Sequence, residues 1–499
     1  MSKLGISKLG ISALQQSGEP VLGSRFTSLP GMALWAGIAF WIALALLAMF
    51  WGMAVAAAEM NALVIGISLL ACIFILLDFR VGVALLILLM PISSSAMFPR
   101  SIAGITGLNP LNLLLIATLV SCLLHAASVG SLMRLPSWRL WLLYVVPMIF
   151  AGVLGSRSVG DIPSYFYTWD MVAFTNASGY IRDMLLKPLF MVLFALLVGE
   201  TVARTKKLEF FLVPFVFSVW AMCLLTLVFV YLSGASLGEM SSNTARSFLA
   251  PLGIHANDLG RLYAIAYALM LFTMASTTDY RLKFFLIVSM GVVVLALMLT
   301  FSRGAFLGFI VVNVLFLVSR RKIKTLLLGI LLMVPLVFVL PGAVYERIAS
   351  GWGGGLNAIS AGRVDDIWLP LLQEVWRSPI YGNGLGSILW SDAIRSDTIL
   401  QVTHPHNAYL QALLDMGILG LLLLCAYFIH VWKGFRILSK HPQLSPAERG
   451  FYEGAAAGLV SFMIAAFVGS SLLPVAEQTF LWLAIGMMYG HCRMLRSWK

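Results

Sequence analysis

Residues 408–432 read AYLQALLDMGILGLLLLCAYFIHVW, an apolar stretch long enough to cross a lipid bilayer as one helix. A helix needs about 20 predominantly apolar residues to span the hydrocarbon core, and about fourteen stretches of this chain qualify. Their approximate limits are 31–55, 60–77, 81–97, 109–128, 138–155, 184–202, 209–234, 258–276, 284–301, 304–319, 325–341, 408–432, 451–472 and 475–492. Because short neighbouring runs can be merged, the sequence predicts about 12–14 transmembrane helices.

The composition indicates the same fold class. Of the 499 residues, 60% are hydrophobic and 11% are charged, whereas a soluble protein carries about 25% charged residues. The sequence therefore predicts an all-α polytopic membrane protein in contact with membrane lipids. Its net charge of +12 is typical of a membrane protein whose Lys and Arg fix its orientation, and we predict no nucleic-acid partner.

The distribution of basic residues predicts the orientation. With the N-terminus inside, about two thirds of the Lys and Arg residues fall in inside connections, as the positive-inside rule requires. Both termini are then inside, and residues 1–30 form an N-terminal tail. The segments predicted to lie outside are 156–183, 235–257, 342–407 and a short turn near 471–474.

One outer segment is much longer than the others. Residues 342–407 separate the first eleven spans, within 31–341, from the last spans and the inside C-terminal tail, within 408–499. Long loops in a compact protein are usually functional. We expect a small mixed subdomain with amphipathic helices on the outer face, including a helical stretch from Val364 to Trp376.

The loop ends in a pair of histidines, His404 and His406, at the point where the chain re-enters the membrane. A neutral imidazole, with an ordinary pKa of about 6.5, can take a proton from a hydroxyl near neutral pH. His406 is the predicted base, and His404 is its partner or a spare. Asn407 either orients His406 or caps the helix that starts at Ala408. Gly417 and Gly420 are interpreted as helix-packing positions.

Several arginines fall on the predicted outer side, where the positive-inside rule does not explain them. Arg303 lies in Ser302-Arg303-Gly304 between two apolar runs, and Arg363 opens the helical stretch in the loop; Arg246 and Arg261 are also outside. Guanidinium groups bind phosphate oxygens bidentately, so together they indicate a diphosphate site. The alternatives are that Arg303 reaches lipid headgroups and that Arg363 is solvated or pairs with Asp365 or Asp366.

His255, in His255-Ala256-Asn257-Asp258, repeats the residue types around His406 and is a further candidate for substrate contact. The sequence has no Gly-rich nucleotide loop, no histidines paired at helical metal spacing and no Asp-x-Asp cluster. We therefore predict neither a metal nor a cofactor, and a lipid-linked donor rather than a nucleotide-linked one.

These residues resemble the O-antigen ligase family, which includes O-antigen and exopolysaccharide polymerases. The segment from His406-Asn407 through nine residues to Gly417-Ile418-Leu419-Gly420 is similar to the family's histidine motif. Ser302-Arg303-Gly304 is similar to its Ser-Arg-Gly arginine. The segment from Gly362 to Gly386 is similar to the family's large loop, so that the resemblance covers about residues 240–430.

The resemblance implies a glycan donor on undecaprenyl diphosphate, used at the periplasmic face of the bacterial inner membrane, with both termini cytoplasmic. Arg303 and Arg363 would hold the diphosphate, and His406 would activate the acceptor hydroxyl, with inversion and without a metal. Lipid A–core is the first expected acceptor. A second lipid-linked repeat, as in a polymerase, follows closely, since Leu421 stands where ligases often carry Gly, Thr or Tyr. A protein acceptor and a lipid-linked oligosaccharide flippase are the remaining alternatives; a flippase would place cations deep within the spans.

Overall fold

The structure is a computed structural model that describes residues 60–94, 101–102, 105–106, 109–128, 137–205, 207–234, 253–320, 353–399, 401–469 and 471–495. The predicted N-terminal tail, the predicted spans 31–55 and 325–341, and Arg246 lie outside these residues. The predicted division into tail, helical regions and loop therefore stays a prediction.

The described chain is built from helices, as the apolar runs predict. The long ones, with the short helix of the large loop, are α1 Met60–Leu77, α2 Phe79–Leu89, α3 Pro110–Ser128, α4 Trp138–Gly155, α5 Ala177–Arg204, α6 Glu209–Ser233, α7 Ala256–Ser276, α8 Tyr280–Met298, α9 Arg303–Arg320, α10 Leu369–Val375, α11 Ala408–Leu438, α12 Pro446–Ala465 and α13 Thr479–Met494. Strand structure in the described residues is a two-residue antiparallel pairing of Ser101–Ile102 with Ile105–Thr106.

Within the described residues, nine helices are long and apolar enough to cross a membrane, namely α3 to α9, α11 and the stretch Pro446–Val468 that contains α12. The shorter helices of Ile65–Leu77 and Phe79–Leu89 are also apolar. The protein is therefore an all-α polytopic membrane protein, and the predicted fold class is confirmed.

Several predicted helix limits were wrong for local reasons. The run predicted to continue to residue 97 ends at Leu89, followed by Pro91 and a 3-10 turn; proline cannot donate the backbone hydrogen bond that would continue a helix. α12 begins at Pro446 rather than 451 because Ser445 and Glu448 form a capping box there. α11 extends to Leu438, six residues beyond the predicted limit of 432.

The helix α7 lies at the centre of the bundle, with 16 of its 21 residues buried. Three glycines of α12, four residues apart, face it: Gly450, Gly454 and Gly458. A Cβ atom at Gly454 would lie 2.5 Å from the Ala268 carbonyl oxygen. Small residues at this spacing let two helix backbones approach closely, which is a common packing mode between membrane helices.

The helix α11 is interrupted at Gly417, whose φ of +66° and ψ of −173° are not helical. A side chain at this position would overlap with the backbone of Ile380 in the large loop. The loop supplies hydrogen-bond acceptors at the break: Ile418 N donates to Pro379 O (2.9 Å) and Leu419 N to Ile380 O (3.3 Å). The interpretation of Gly417 as a helix-packing glycine was therefore wrong, because the helix is broken there and a loop is inserted.

The other side of the break is joined to the same loop. Asn383 N donates to Leu414 O (2.8 Å) and Gly384 N donates to Asp415 O (3.0 Å). Gly382 has a φ of +74° and packs so closely on the backbone of Asp415 that a side chain would not fit. Loop and helix thus exchange backbone hydrogen bonds on both sides of Gly417, so the freed polar groups are satisfied.

The buried carboxylate of Asp415 fastens the following turn of the loop. It accepts hydrogen bonds from the backbone N and the Oγ of Ser387 (3.0 and 2.9 Å) and from Gln411 Nε2 (2.8 Å to each carboxylate oxygen). A buried charge is tolerated when its oxygens are hydrogen-bonded in this way. The described part of the large loop is otherwise made of helical turns, including the predicted helical stretch, which forms as a π-turn Val364–Trp368 followed by α10.

Candidate active site

The rings of His404 and His406 lie edge to face, with their centroids 4.3 Å apart. The residue between them, Pro405, is buried, and its carbonyl accepts a hydrogen bond from Trp368 Nε1 (2.8 Å). Thr403 Oγ1 lies 3.3 Å from His404 Nδ1. Trp368, earlier in the large loop, therefore fixes the backbone between the two histidines through its indole N–H.

The backbone at His406 has a φ of +53°, in the left-handed region. Residues other than glycine are uncommon there, although Asn, Asp and His are enriched. Asn407 follows, and its Oδ1 accepts from the backbone N of Tyr409 (3.1 Å) and of Leu410 (3.2 Å). Of the two roles considered for Asn407, the structure shows helix capping, which fixes the turn that presents His406.

The first turns of α7 bring a second group of polar side chains to the site. His255 is the N-cap residue, and its Nδ1 accepts from Asn257 N (3.2 Å). Asp258 and Arg261 follow at three-residue intervals, so the three side chains lie on one face of the helix. Arg261 is only 3% exposed and is ion-paired with Asp258 and, at 2.7 Å, with Glu477 from the turn before α13.

The Arg261 guanidinium is thus held between two carboxylates, with Gly469 packed against it. Removing one partner of a buried ion pair is strongly destabilising, so this arrangement fixes the α7 end to the α12–α13 connection. Nη2 of Arg261 donates to both Asp258 and Glu477, so the two carboxylates offset its positive charge.

Arg303 is the first residue of α9 and is half-buried. The preceding Phe301 has a φ of +49°, and Ser302 Oγ accepts from Ala305 N (3.3 Å), which caps the helix. This turn packs against Gly260 of α7, where a Cβ atom would overlap with Ala305. The Ser-Arg-Gly motif therefore places Arg303 on a turn that contacts α7 one residue before Arg261.

Arg363 precedes the π-turn of the large loop and is also half-buried. The backbone reaches it through Gly362, with a φ of +85°, whose N donates to Asn357 O (2.8 Å). Ser360 Oγ accepts from Val364 N (3.2 Å). A tight, hydrogen-bonded turn thus sets the position of this arginine.

The electrostatics of the histidine pair show that these groups share one site. Burial, followed by the charges of His404, Arg363, His255 and Arg261, lowers the pKa of His406 from its ordinary 6.5 to about 3. Burial and nearly the same neighbours lower the pKa of His404 to about 4, against an opposing effect of Glu477. Both imidazoles are therefore neutral at pH 7, near Arg363 and the ion-paired group of Arg261, Asp258 and Glu477.

The structure therefore brings His255, Arg261, Arg363, His404 and His406 together from three segments that are distant in sequence. Arg303 lies on a turn packed on the same end of α7. Within the described residues, no three His, Cys, Asp or Glu side chains converge as metal ligands.

Sequence reasoning missed four residues that hold this site, Asp258, Trp368, Asp415 and Glu477. Two of them carried a usable signal. Asp415 and Glu477 are ionisable residues within or beside apolar runs, where such residues are rare and generally have a specific role.

Comparison with protein-family models gives a match to the family described as O-antigen ligase over residues 285–425. The matched region includes Arg303, Arg363, His404 and His406, and it begins later than the residue 240 expected from the sequence. A search of curated proteins found no match. Residues 285–425, which contain the Ser-Arg-Gly turn, the large loop and the histidine motif, are thus similar to the O-antigen ligase family.

Proposed function

We propose that this protein transfers a glycan from undecaprenyl diphosphate to an acceptor hydroxyl at the periplasmic face of the bacterial inner membrane, with both termini in the cytoplasm. The acceptor proposed first is lipid A–core, which makes the protein an O-antigen ligase. The observation that carries the proposal is the pair of adjacent imidazoles near Arg363, in a polytopic membrane protein whose residues 285–425 match the O-antigen ligase family.

The proposed reaction needs a base, an anion site and a leaving group. His406 takes the proton of the acceptor hydroxyl as its oxygen forms a bond to the anomeric carbon of the donor glycan. The bond from that carbon to the diphosphate oxygen breaks, and its electron pair leaves with undecaprenyl diphosphate. Attack opposite the leaving group inverts the anomeric centre.

Arg303 and Arg363 are proposed to bind the diphosphate and to stabilise the charge that develops on it. Such preorganised donors are often the largest contribution to catalysis. The further proposed substrate contacts are Arg246, His255, Arg261, His404 and Asn407. Asn407 in addition caps α11, and Arg261 is in addition held by Asp258 and Glu477. The proposal needs no metal, so transfer should persist in EDTA.

A polymerase, in which a second lipid-linked repeat is the acceptor, is the second candidate, since the family match does not distinguish the two acceptors. The test uses purified protein and an undecaprenyl-diphosphate glycan, with lipid A–core and a second lipid-linked repeat in separate reactions. Product with lipid A–core alone supports a ligase, and a ladder of products with the second acceptor supports a polymerase. Folded protein that gives product in neither reaction would contradict both.

The variant Arg303→Lys tests the diphosphate assignment. Lysine keeps the charge but loses the bidentate fork, and a charge-assisted hydrogen bond contributes about 1.5–3 kcal/mol, so we expect transfer to fall about 10- to 100-fold. Arg320→Lys, at the opposite end of α9, is the matched control, because Arg320 is ion-paired with Glu453 at 3.3 Å. Near wild-type transfer by Arg303→Lys would remove Arg303 from the diphosphate site.

The pH dependence tests the base. Only the neutral imidazole accepts a proton, and the lowered pKa of His406 keeps it neutral well below pH 6.5. We therefore expect kcat/KM, which reports the free enzyme, to stay nearly level from pH 8 to 5. Bound diphosphate stabilises the imidazolium and raises this pKa, so kcat should decline at a higher pH than kcat/KM.

Thermal melting at each pH separates loss of activity from loss of folding. The control is needed because the unfolded histidines bind protons below about pH 6.5, so folding stability declines as the pH falls through that range. A decline of kcat/KM centred at pH 6.5 in folded protein would contradict the depressed pKa.

A further inference from the structure

The helical segment made of the π-turn Val364–Trp368, α10 and its C-cap residue Trp376 is apolar on two sides, of which the described residues cover one. Ile367 and Leu371 are buried. Leu369, Leu372 and Trp376, spaced three and four residues apart, form a stripe that is 53%, 45% and 79% exposed. A helix side with this spacing forms a continuous apolar surface.

A polar edge runs along this apolar stripe. Asp366, Gln373 and Arg377 are exposed and follow one another at helical spacing beside Leu369 and Trp376. A helix that exposes apolar residues next to a polar edge, with a tryptophan at the end, has the layout of a helix lying at a membrane–water interface.

The apolar stripe continues onto the surface of the membrane-spanning helices. Ile380 and Tyr381, four and five residues after Trp376, are also exposed, and the Tyr381 ring lies 6.2 Å from that of Phe150 on α4. Phe150 belongs to an exposed apolar face of α4 made of Leu142, Val146, Ile149, Phe150 and Val153.

Ile380 connects the stripe to a second spanning helix. Its carbonyl accepts from Leu419 N of α11 (3.3 Å), and Ile418, Leu419 and Leu422 are exposed beside it. In a polytopic membrane protein, exposed apolar faces of spanning helices are the surfaces that meet lipid. The stripe of α10 extends these two faces.

We infer that α10 is a membrane-surface anchor, with Leu369, Leu372 and Trp376 inserted into the interfacial region of the bilayer. The occupant of the stripe is phospholipid, because the surface is continuous with the lipid-facing surface of α4 and α11. The anchor bears on the site directly: Arg363 is the N-cap residue of the adjoining π-turn, and Trp368 binds Pro405 between the two histidines. The inference rests on the membrane fold and is independent of the proposed reaction.

The test places a spin label at single added cysteines in the full chain, reconstituted into phosphatidylethanolamine–phosphatidylglycerol bilayers. Leu372→Cys and Trp376→Cys report the stripe, and Asp366→Cys and Gln373→Cys are matched controls on the polar edge of the same helical segment. The protein without an added cysteine gives the background from its five native cysteines. All four positions are exposed, so the substitutions do not alter the core.

We expect labels at 372 and 376 to collide more with lipid-soluble oxygen than with a water-soluble nickel chelate, and labels at 366 and 373 to show the reverse. Equal nickel accessibility at all four positions would overturn the inference. Spin–spin broadening at 376 that disappears on dilution with lipid would also overturn it, because a second copy of the chain would then cover the stripe.

Discussion

Replacing His406 by asparagine is expected to lower kcat for glycan transfer by about 10²- to 10⁴-fold, the usual contribution of a general base. Asparagine suits this site because His406 has a φ of +53°. Asparagine adopts that conformation more readily than alanine does, so the fold is retained while the proton acceptor is lost. His406→Ala should be equally inactive, with a further loss of stability of about 1–2 kcal/mol from the backbone.

His404→Asn is the matched variant, since its ring lies only 4.3 Å from that of His406. We expect it to lose about tenfold or less, because it removes a neighbour and leaves the proposed base; a tenfold loss is about 1.4 kcal/mol. The measurement is single-turnover transfer, with melting curves for each variant. A larger loss in His404→Asn than in His406→Asn would move the base to His404, and full activity in His406→Asn would remove the general-base assignment.

Gly417→Ala is expected to separate the large loop from α11 and to abolish transfer. The φ and ψ of Gly417 lie in a region used almost only by glycine, and a Cβ atom would overlap with the Ile380 backbone. Backbone strain of about 1–3 kcal/mol and the loss of two loop–helix hydrogen bonds, at about 0.5–1.5 kcal/mol each, together predict a destabilisation of about 2–6 kcal/mol.

The control for Gly417→Ala is Gly291→Ala in α8, where a Cβ atom meets nothing within 4 Å. Thermal melting in detergent, together with limited proteolysis within 378–387, measures the effect on loop docking. Wild-type melting, protease resistance and transfer in Gly417→Ala would show that the break is not required.

The helices were predictable because an apolar run must form a helix in a membrane to satisfy its backbone. α3 and α4 therefore coincide closely with the runs 109–128 and 138–155. The limits of α2 and α12 differ from the predicted limits because a local signal overrides hydrophobicity, Pro91 after α2 and the Ser445 capping box at the start of α12. The break at Gly417 was not predictable from α11 alone, because its hydrogen-bond acceptors come from Pro379 and Ile380.

The candidate site likewise contains residues that the sequence predicts and contacts that it does not. The predicted histidines and Arg363 lie in one loop, and Trp368 joins the two ends of that loop by its hydrogen bond to Pro405. The partner of Arg261 was missed because Glu477 is 216 residues away in sequence, and no spacing rule reports a contact of that range. The roles left open for Asn407 were decided only by the geometry of its Oδ1.

The insertion of the loop at Gly417 divides α11 into two parts, and each part is hydrogen-bonded to the loop. Residues 408–416, with the histidine pair at their start, exchange hydrogen bonds with the loop, whereas residues after 419 continue as an ordinary spanning helix. The loop also accepts hydrogen bonds from Ile418 N and Leu419 N, so it acts as a splint across the break. The spanning part of α11 and the end that carries the histidine pair are therefore held to one another through the same loop that carries Arg363.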